Sequence, residues 1–354
     1  MNKLFSVMAL LAVGLVACAG PQSTFPFDDY LSMRTHFGEL YQNGSLQEAA
    51  ELMEAALPRF PDHLEANAFN LAIVYSQLGE PENGMKVLKF AHDRGVWFNI
   101  YGFRSPLFNP YRALNEFDAV VARNDSLRLV AQSTSAPDLK VVLPDGYSAD
   151  REYPLFLALH GGGGNMEDFS MAWKSDLLTE EYIVAYVQSS LMVSMTGYSW
   201  SEDFAISRQE VADAYHEIVD DYAINSDEVV VGGFSAGGTA ALEVVLGNNF
   251  PIAGFVALCP VQPEGLSAET VAVIRDRGVR GTILTTEMDP NVESQREMVE
   301  LLKETQFPHE FVVTPNVGHW IPDNLGELID RAIMHIRVKR GEEGLSPRIN
   351  PSAQ

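Results

Sequence analysis

The chain has 354 residues, 46% of them hydrophobic and 20% charged, which is enough for a sizeable core and for one large or two unequal domains. With 24 Lys+Arg against 48 Asp+Glu, the net charge is −24. Such a surface repels phosphate backbones, so nucleic acid is excluded as a partner; the acidity reads as a solvated face and assigns no substrate.

In chain order, residues 1–17 carry Lys3 and then an apolar run from Leu4 to Val16 that ends in small residues. This is the pattern of a secretory signal, too short to span a bilayer comfortably. The run closes on Leu15-Val16-Ala17-Cys18, which resembles the lipobox of bacterial lipoproteins. The resemblance implies cleavage before Cys18, a diacylglycerol on its thiol and an acylated new N-terminus. The protein would then be membrane-anchored in the bacterial cell envelope, at the outer membrane, facing the periplasm or the surface. The alternative is an ordinary cleaved signal with an incidental cysteine. Residues 18–27 read as a short tether, and a lipidated Cys18 leaves Cys259 without a disulfide partner.

Residues 28–125 show helical periodicity that repeats. Phe37-Gly38 and Tyr41 are matched by Leu71-Ala72 and Tyr75 at an offset of 34, as Ala50 is by Gly84 and Leu57 by Ala91. Small residues there are expected to let paired helices approach closely, with Pro61 closing the first unit. The pattern resembles tetratricopeptide repeats. Two units are fewer than usually stack alone, so they are expected to lean on residues 97–121, on the domain beyond residue 138, or on both. Such repeats serve either as plain scaffold or as a groove for a protein partner.

Around 131–138 Ser, Thr and Pro cluster, and strand-type runs begin: 139–143, 155–159, 183–187, 228–232, 252–258, 282–286 and 310–314. Helical stretches lie between most of them, at 209–222, 239–246, 294–304 and 324–338. Alternation of this kind predicts an α/β domain over 139–340, with a mostly parallel sheet covered on both faces. Residues 341–354 read as a disordered tail.

The segment from Glu228 through Gly233-Phe234-Ser235-Ala236-Gly237 to Leu242 reads as strand, sharp turn, helix. Glycines at 233 and 237 let chains pass a turn that holds the Ser235 hydroxyl out above the sheet, at a helix N-terminus whose dipole favours negative charge. Serine needs a base. Of eight histidines, His319 lies in the loop after the last strand, where it can swing toward Ser235. The orienting acid is expected in the loop after strand 282–286, giving the order Ser, Asp, His. Asp289 is the candidate, with Glu287 the alternative. His160-Gly161-Gly162-Gly163-Gly164 follows an early strand. Consecutive glycines can aim N–H groups at an approaching oxyanion, so Gly162 and Ala236 are the candidate donors, with His160, Gly161 and Gly163 propping the loop. No Lys-Ser/Thr comes after the glycines, as a phosphate-binding loop would need. Asn165, Trp200 and Met288 are candidate cleft liners by position.

Together these features resemble the α/β-hydrolase superfamily over residues 139–340. Leu143-Pro-Asp-Gly-Tyr, and then Tyr153-Pro-Leu-Phe-Leu-Ala-Leu-His-Gly, look like the branch containing esterase D, feruloyl esterases and polyhydroxybutyrate depolymerases. The resemblance implies ester hydrolysis through an acyl-enzyme on Ser235, Asp289 and His319, on small or carbohydrate-linked esters, with no metal and no organic cofactor. The short stretch after Leu258 leaves no room for a large lid and predicts an open cleft. Two other readings stand beside it: a serine peptidase of prolyl-oligopeptidase type, and an inactive hydrolase domain in a lipoprotein that works through its repeats.

Overall fold

Continuous apolar runs such as Leu155–Leu159 lack the alternation of a half-exposed strand, and they fit a sheet buried on both faces. A computed structural model of the chain describes residues 25–201 and 203–338. The signal-like segment with Cys18 and the predicted tail at 341–354 lie outside the described residues.

The strands are β1 (Asp138–Val142), β2 (Tyr153–Leu159), β3 (Ile183–Gln188), β4 (Ile224–Phe234), β5 (Gly254–Leu258), β6 (Arg280–Thr286) and β7 (His309–Thr314). They form one seven-stranded sheet in the order β1-β3-β2-β4-β5-β6-β7. β1 runs antiparallel to β3, and the other pairs are parallel. The largest departure from the expected strands is β4, which starts at Ile224 rather than 228. The polar Asn225-Ser226-Asp227 hide the strand signal, but Ile224 pairs with Tyr153 across a register shift.

Between the strands lie α7 (Met166–Ala172), α8 (Asp176–Glu181), α9 (Phe204–Asp221), α10 (Ala236–Gly247), α11 (Ala268–Asp276), α12 (Val292–Glu304) and α13 (Leu325–Arg337). Side chains alternate across each strand. Leu155, Leu157 and Leu159 therefore pack with Val211, Ala241, Ile274 and Met298 of α9 to α12. Phe156 and Ala158 face the other way, onto Phe169, Leu178, Ile329 and Ile333 of α7, α8 and α13.

Before the sheet come α1 (Tyr30–Gln42), α2 (Leu46–Ala56), α3 (Leu64–Leu78), α4 (Pro81–His92), the single turn α5 (Asn109–Arg112) and α6 (Phe117–Gln132). α1 and α3 start 34 residues apart, at Tyr30 and Leu64. Met33, Ala50, Met53 and Leu71 close one small core; Ala72, Leu88, Phe98, Phe103 and Tyr111 close a second. The missing side chain of Gly84 leaves room for the Tyr111 ring of α5, whose hydroxyl donates to the Ala72 carbonyl of α3 at 2.5 Å. The helical region also extends past 125, because α6 meets no Gly or Pro before Gln132 and its polar residues conceal the helical period.

The helices lean on both expected neighbours. The Gln132 carboxamide donates to Ser190 O at 2.8 Å and accepts from Met192 N at 2.8 Å, and Ile100 N donates to Val193 O at 3.0 Å. Residues 189–201, which follow β3, are thereby held against the helical region.

Candidate active site

The site is built where β4 ends and α10 begins. Ser235 has φ 54° and ψ −116°, a left-handed conformation that a side chain rarely adopts. A Cβ at Gly233 would come within 2.7 Å of the Gly237 carbonyl carbon, and one at Gly237 within 2.5 Å of His160 O. The two glycines are what lets β4, α10 and the loop after β2 cross there. The Ser235 N–H donates to Leu258 O at 2.8 Å, which fixes the turn. Although Ser235 is the N-cap of α10, its hydroxyl makes no capping bond; it points elsewhere.

That hydroxyl lies 2.8 Å from His319 Nε2, and His319 Nδ1 lies 2.6 Å from Asp289 Oδ2. A carboxylate only accepts, so Nδ1 carries the hydrogen and Nε2 is left to accept from the serine. Asp289 is buried, and its Oδ1 accepts from Asn291 N at 2.7 Å. The three groups come from loops after β4, β6 and β7, all at the C-terminal edge of the parallel sheet, where open α/β sheets place their clefts.

The His319 loop is tied to the Asp289 loop at three points. Thr286 Oγ1 donates to Gly318 O at 2.6 Å, Met288 N to Val317 O at 3.0 Å, and Asn316 N to Glu287 Oε2 at 2.9 Å. Glu287 thus braces a loop while Asp289 touches the imidazole. The Phe234 ring packs against His319 with centroids 5.1 Å apart.

Sequence reasoning did not find Cys259. It sits at the end of β5 with φ 50°, buried beside Asp289 and Thr286; its only signal was its place after a strand. Burial first, then a hydrogen bond to Asp289, pushes its thiol up to about 12, so it stays an S–H donor toward the acid. Cys259, Asp289 and His319 are close enough to suggest a metal site. In this structure the imidazole and carboxylate bond directly to each other, an arrangement in which the acid orients the imidazole.

Gly162 lies beside the turn: a Cβ there would meet the Ala236 Cβ at 3.3 Å and Ser199 Oγ at 3.4 Å. Ala236 is the first residue of α10, so its N–H has no partner within the helix. The Gly163 N–H is already donated to Tyr198 O at 2.7 Å, and that of Gly164 to Gly161 O at 3.0 Å. The amides of Gly162 and Ala236, by contrast, have no hydrogen-bond partner among the described residues. Gly161 has no room for a side chain against Phe234, whose Cδ1 would lie 2.9 Å from its Cβ.

His160 is fully buried under this loop. Nδ1–H donates to Gly161 O at 2.9 Å, and Nε2 accepts from Gln188 Nε2 at 3.0 Å and Ser189 N at 3.4 Å. Burial holds it neutral, lowering its pKa to about 4. Trp200, expected in the cleft, is instead fully buried, with its indole N–H on His160 O at 2.9 Å. Asn165 caps α7 by accepting from Asp168 N. Met288 is exposed. A cavity of about 810 Å³ lined by Glu228, Arg275, Arg280 and Arg337 opens at the opposite ends of the strands, away from Ser235.

Residues 155–283 match the model of the alpha/beta hydrolase family, and the domain carrying the site has the α/β-hydrolase fold with a helical region before it. An uncharacterized protein from Bacillus cereus is 25% identical over 87% of this chain and 98% of its own, with a TM-score of 0.50; that coverage takes in helices as well as sheet. The feruloyl esterase module from Clostridium thermocellum is 19% identical over 56% of this chain and 82% of its own, at a TM-score of 0.45. A phospholipase/carboxylesterase from Dyadobacter fermentans is 20% identical over 57% and 98%, at 0.41. No curated protein sequence matches the chain.

Proposed function

We propose that the protein is a serine carboxylic-ester hydrolase that works through an acyl-enzyme on Ser235, His319 and Asp289. The observation that carries this reading is the unbroken chain from the strained, uncapped Ser235 hydroxyl through His319 to the buried Asp289. Attack of Oγ on the acyl carbon passes the serine proton to Nε2. Asp289 holds the imidazole in the required tautomer and stabilises its cation. The oxyanion meets the amides of Gly162 and Ala236, where one donor is worth about 2.7–4 kcal/mol in such sites. His319 then protonates the departing alcohol, and water, deprotonated by the same imidazole, releases the acid.

Small or carbohydrate-linked esters are the substrate class we propose, on the strength of the sequence resemblance. We propose also that Cys18 carries lipid and anchors the protein in the cell envelope, and that the helical region offers a face to a protein partner. A mass spectrum of the mature N-terminus tests the anchor: a first residue other than an acylated Cys18 removes it.

A fluorophosphonate probe tests the central reading. Wild type is expected to label and Ser235→Ala is not. Wild type left unlabelled, or equal labelling of both, sinks the proposal. Turnover of short aryl esters with none of dipeptide amides separates an esterase from a peptidase.

A further inference from the structure

The helical region reaches the proposed active site. Asn99 and Tyr101 belong to the stretch between α4 and α5, yet they stand against the glycine loop. A Cβ at Gly163 would lie 3.4 Å from Asn99 Nδ2. The Tyr101 hydroxyl lies 3.4 Å from Ser199 Oγ, the same atom that lies 3.4 Å from a Cβ at Gly162. Ser199 Oγ in turn lies 3.1 Å from Ser201 Oγ. Hydroxyls thus run from the helical region to the side of Gly162.

This stretch is held firmly. The buried Asn124 of α6 accepts from Phe98 N at 2.7 Å and donates to Phe98 O at 3.0 Å, with His92 Nε2 3.1 Å from the same side-chain oxygen. Phe98 and Phe103 are buried on either side of Asn99 and Tyr101. Ile100 N is bonded to Val193 O across the boundary. Asn99 Oδ1 accepts from Tyr101 N at 2.9 Å, while its Nδ2 has no acceptor among the described residues. A fixed, half-buried platform from the helical region thus presents an amide donor and a hydroxyl beside the glycine loop, within reach of a ligand that enters there.

We infer that Asn99 and Tyr101 are specificity-determining residues, and that the helical region is thereby one wall of the substrate cleft, binding a hydroxyl-bearing part of the ester. The inference rests on the ester-hydrolase reading. The hydroxyl belongs to a polyol alcohol or to a hydroxylated acyl chain; the chemistry is shared, and the choice of test substrates separates the sources.

Tyr101→Phe and Asn99→Ser are compared with wild type on para-nitrophenyl acetate, on para-nitrophenyl β-hydroxybutyrate and on an acetylated methyl xyloside. Phenylalanine keeps the ring packing, and serine can keep the bond to Tyr101 N, so a thermal midpoint near wild type is expected for both. Loss of one such hydrogen bond should raise KM by about ten-fold on the hydroxylated ester that the site recognises. On para-nitrophenyl acetate, kcat/KM and the fluorophosphonate labelling rate should stay within about two-fold. An equal loss on the acetate, or no selective loss on either hydroxylated ester in folded variants, overturns the inference. If wild type neither labels nor turns over any ester, it is the underlying reading that fails.

Discussion

Ser235 occupies a backbone conformation, φ 54° and ψ −116°, that suits glycine. Holding a side chain there costs about 1–3 kcal/mol. Ser235→Ala removes the hydrogen bond to His319 but keeps a Cβ in the strained turn. Ser235→Gly removes the same bond and also the strain, while adding about 0.4–1 kcal/mol of chain entropy to the unfolded state. The balance favours the glycine variant over the alanine variant by about 1–2 kcal/mol. For a domain of this size each kcal/mol moves Tm by about 2–4 °C. Both variants should be inactive, and scanning calorimetry at one pH and scan rate should show the glycine variant melting several degrees above the alanine variant. A glycine variant melting at or below the alanine variant would mean that the turn stores no strain, and the account of why the nucleophile is held out would be wrong.

Asp289→Asn should lower kcat by about 10⁴ with little change in KM, because asparagine favours the wrong imidazole tautomer; Glu287→Gln should stay within about three-fold by steady-state kinetics, since it only braces Asn316. A large loss for Glu287→Gln with activity kept in Asp289→Asn would reverse their roles. Thr286→Val removes the bond that holds the Gly318 carbonyl and should cost about ten-fold in kcat with a smaller effect on Tm; unchanged kcat would show that the His319 loop needs no such tie. His160 is neutral in the fold, with a pKa lowered from 6.5 to about 4. The unfolded chain therefore binds its proton first, and stability should fall as pH drops from about 6.5 to 4, by about 3 kcal/mol from this group at 1.36 kcal/mol per unit. Urea titrations across that range check it: a flat profile that His160→Gln leaves unaltered refutes the neutral, buried assignment.

Much of the architecture was legible because it rests on local chemistry. Apolar runs of strand length between helical stretches dictate a parallel sheet, and a serine flanked by Gly233 and Gly237 makes sense only where chains cross closely. Chain order alone put Asp289 and His319 after the right strands. Strand ends were harder to see: β4 begins in polar residues whose pairing with Tyr153 is a contact between distant segments. The choice between Glu287 and Asp289 also had to wait, since two residues in one loop differ only in which direction their backbone turns them. Cys259 gave no signal beyond its place after a strand, for its part in the site is its nearness to Asp289 and Thr286. Trp200 was misread because an aromatic in a loop looks like a cleft wall until its indole is found under the glycine loop.

The sequence by itself determined the two-part chain, the sheet and the candidate nucleophile, since hydrophobic period and glycine placement act over a few neighbouring residues. Only the tertiary structure decided that Asn99 and Tyr101 stand beside the glycine loop, some sixty residues further along the chain. No local pattern encodes that meeting; it arises from the bonds of Gln132 and Ile100 to the loop after β3, and docking of this kind is a property of surfaces formed only once both parts have folded.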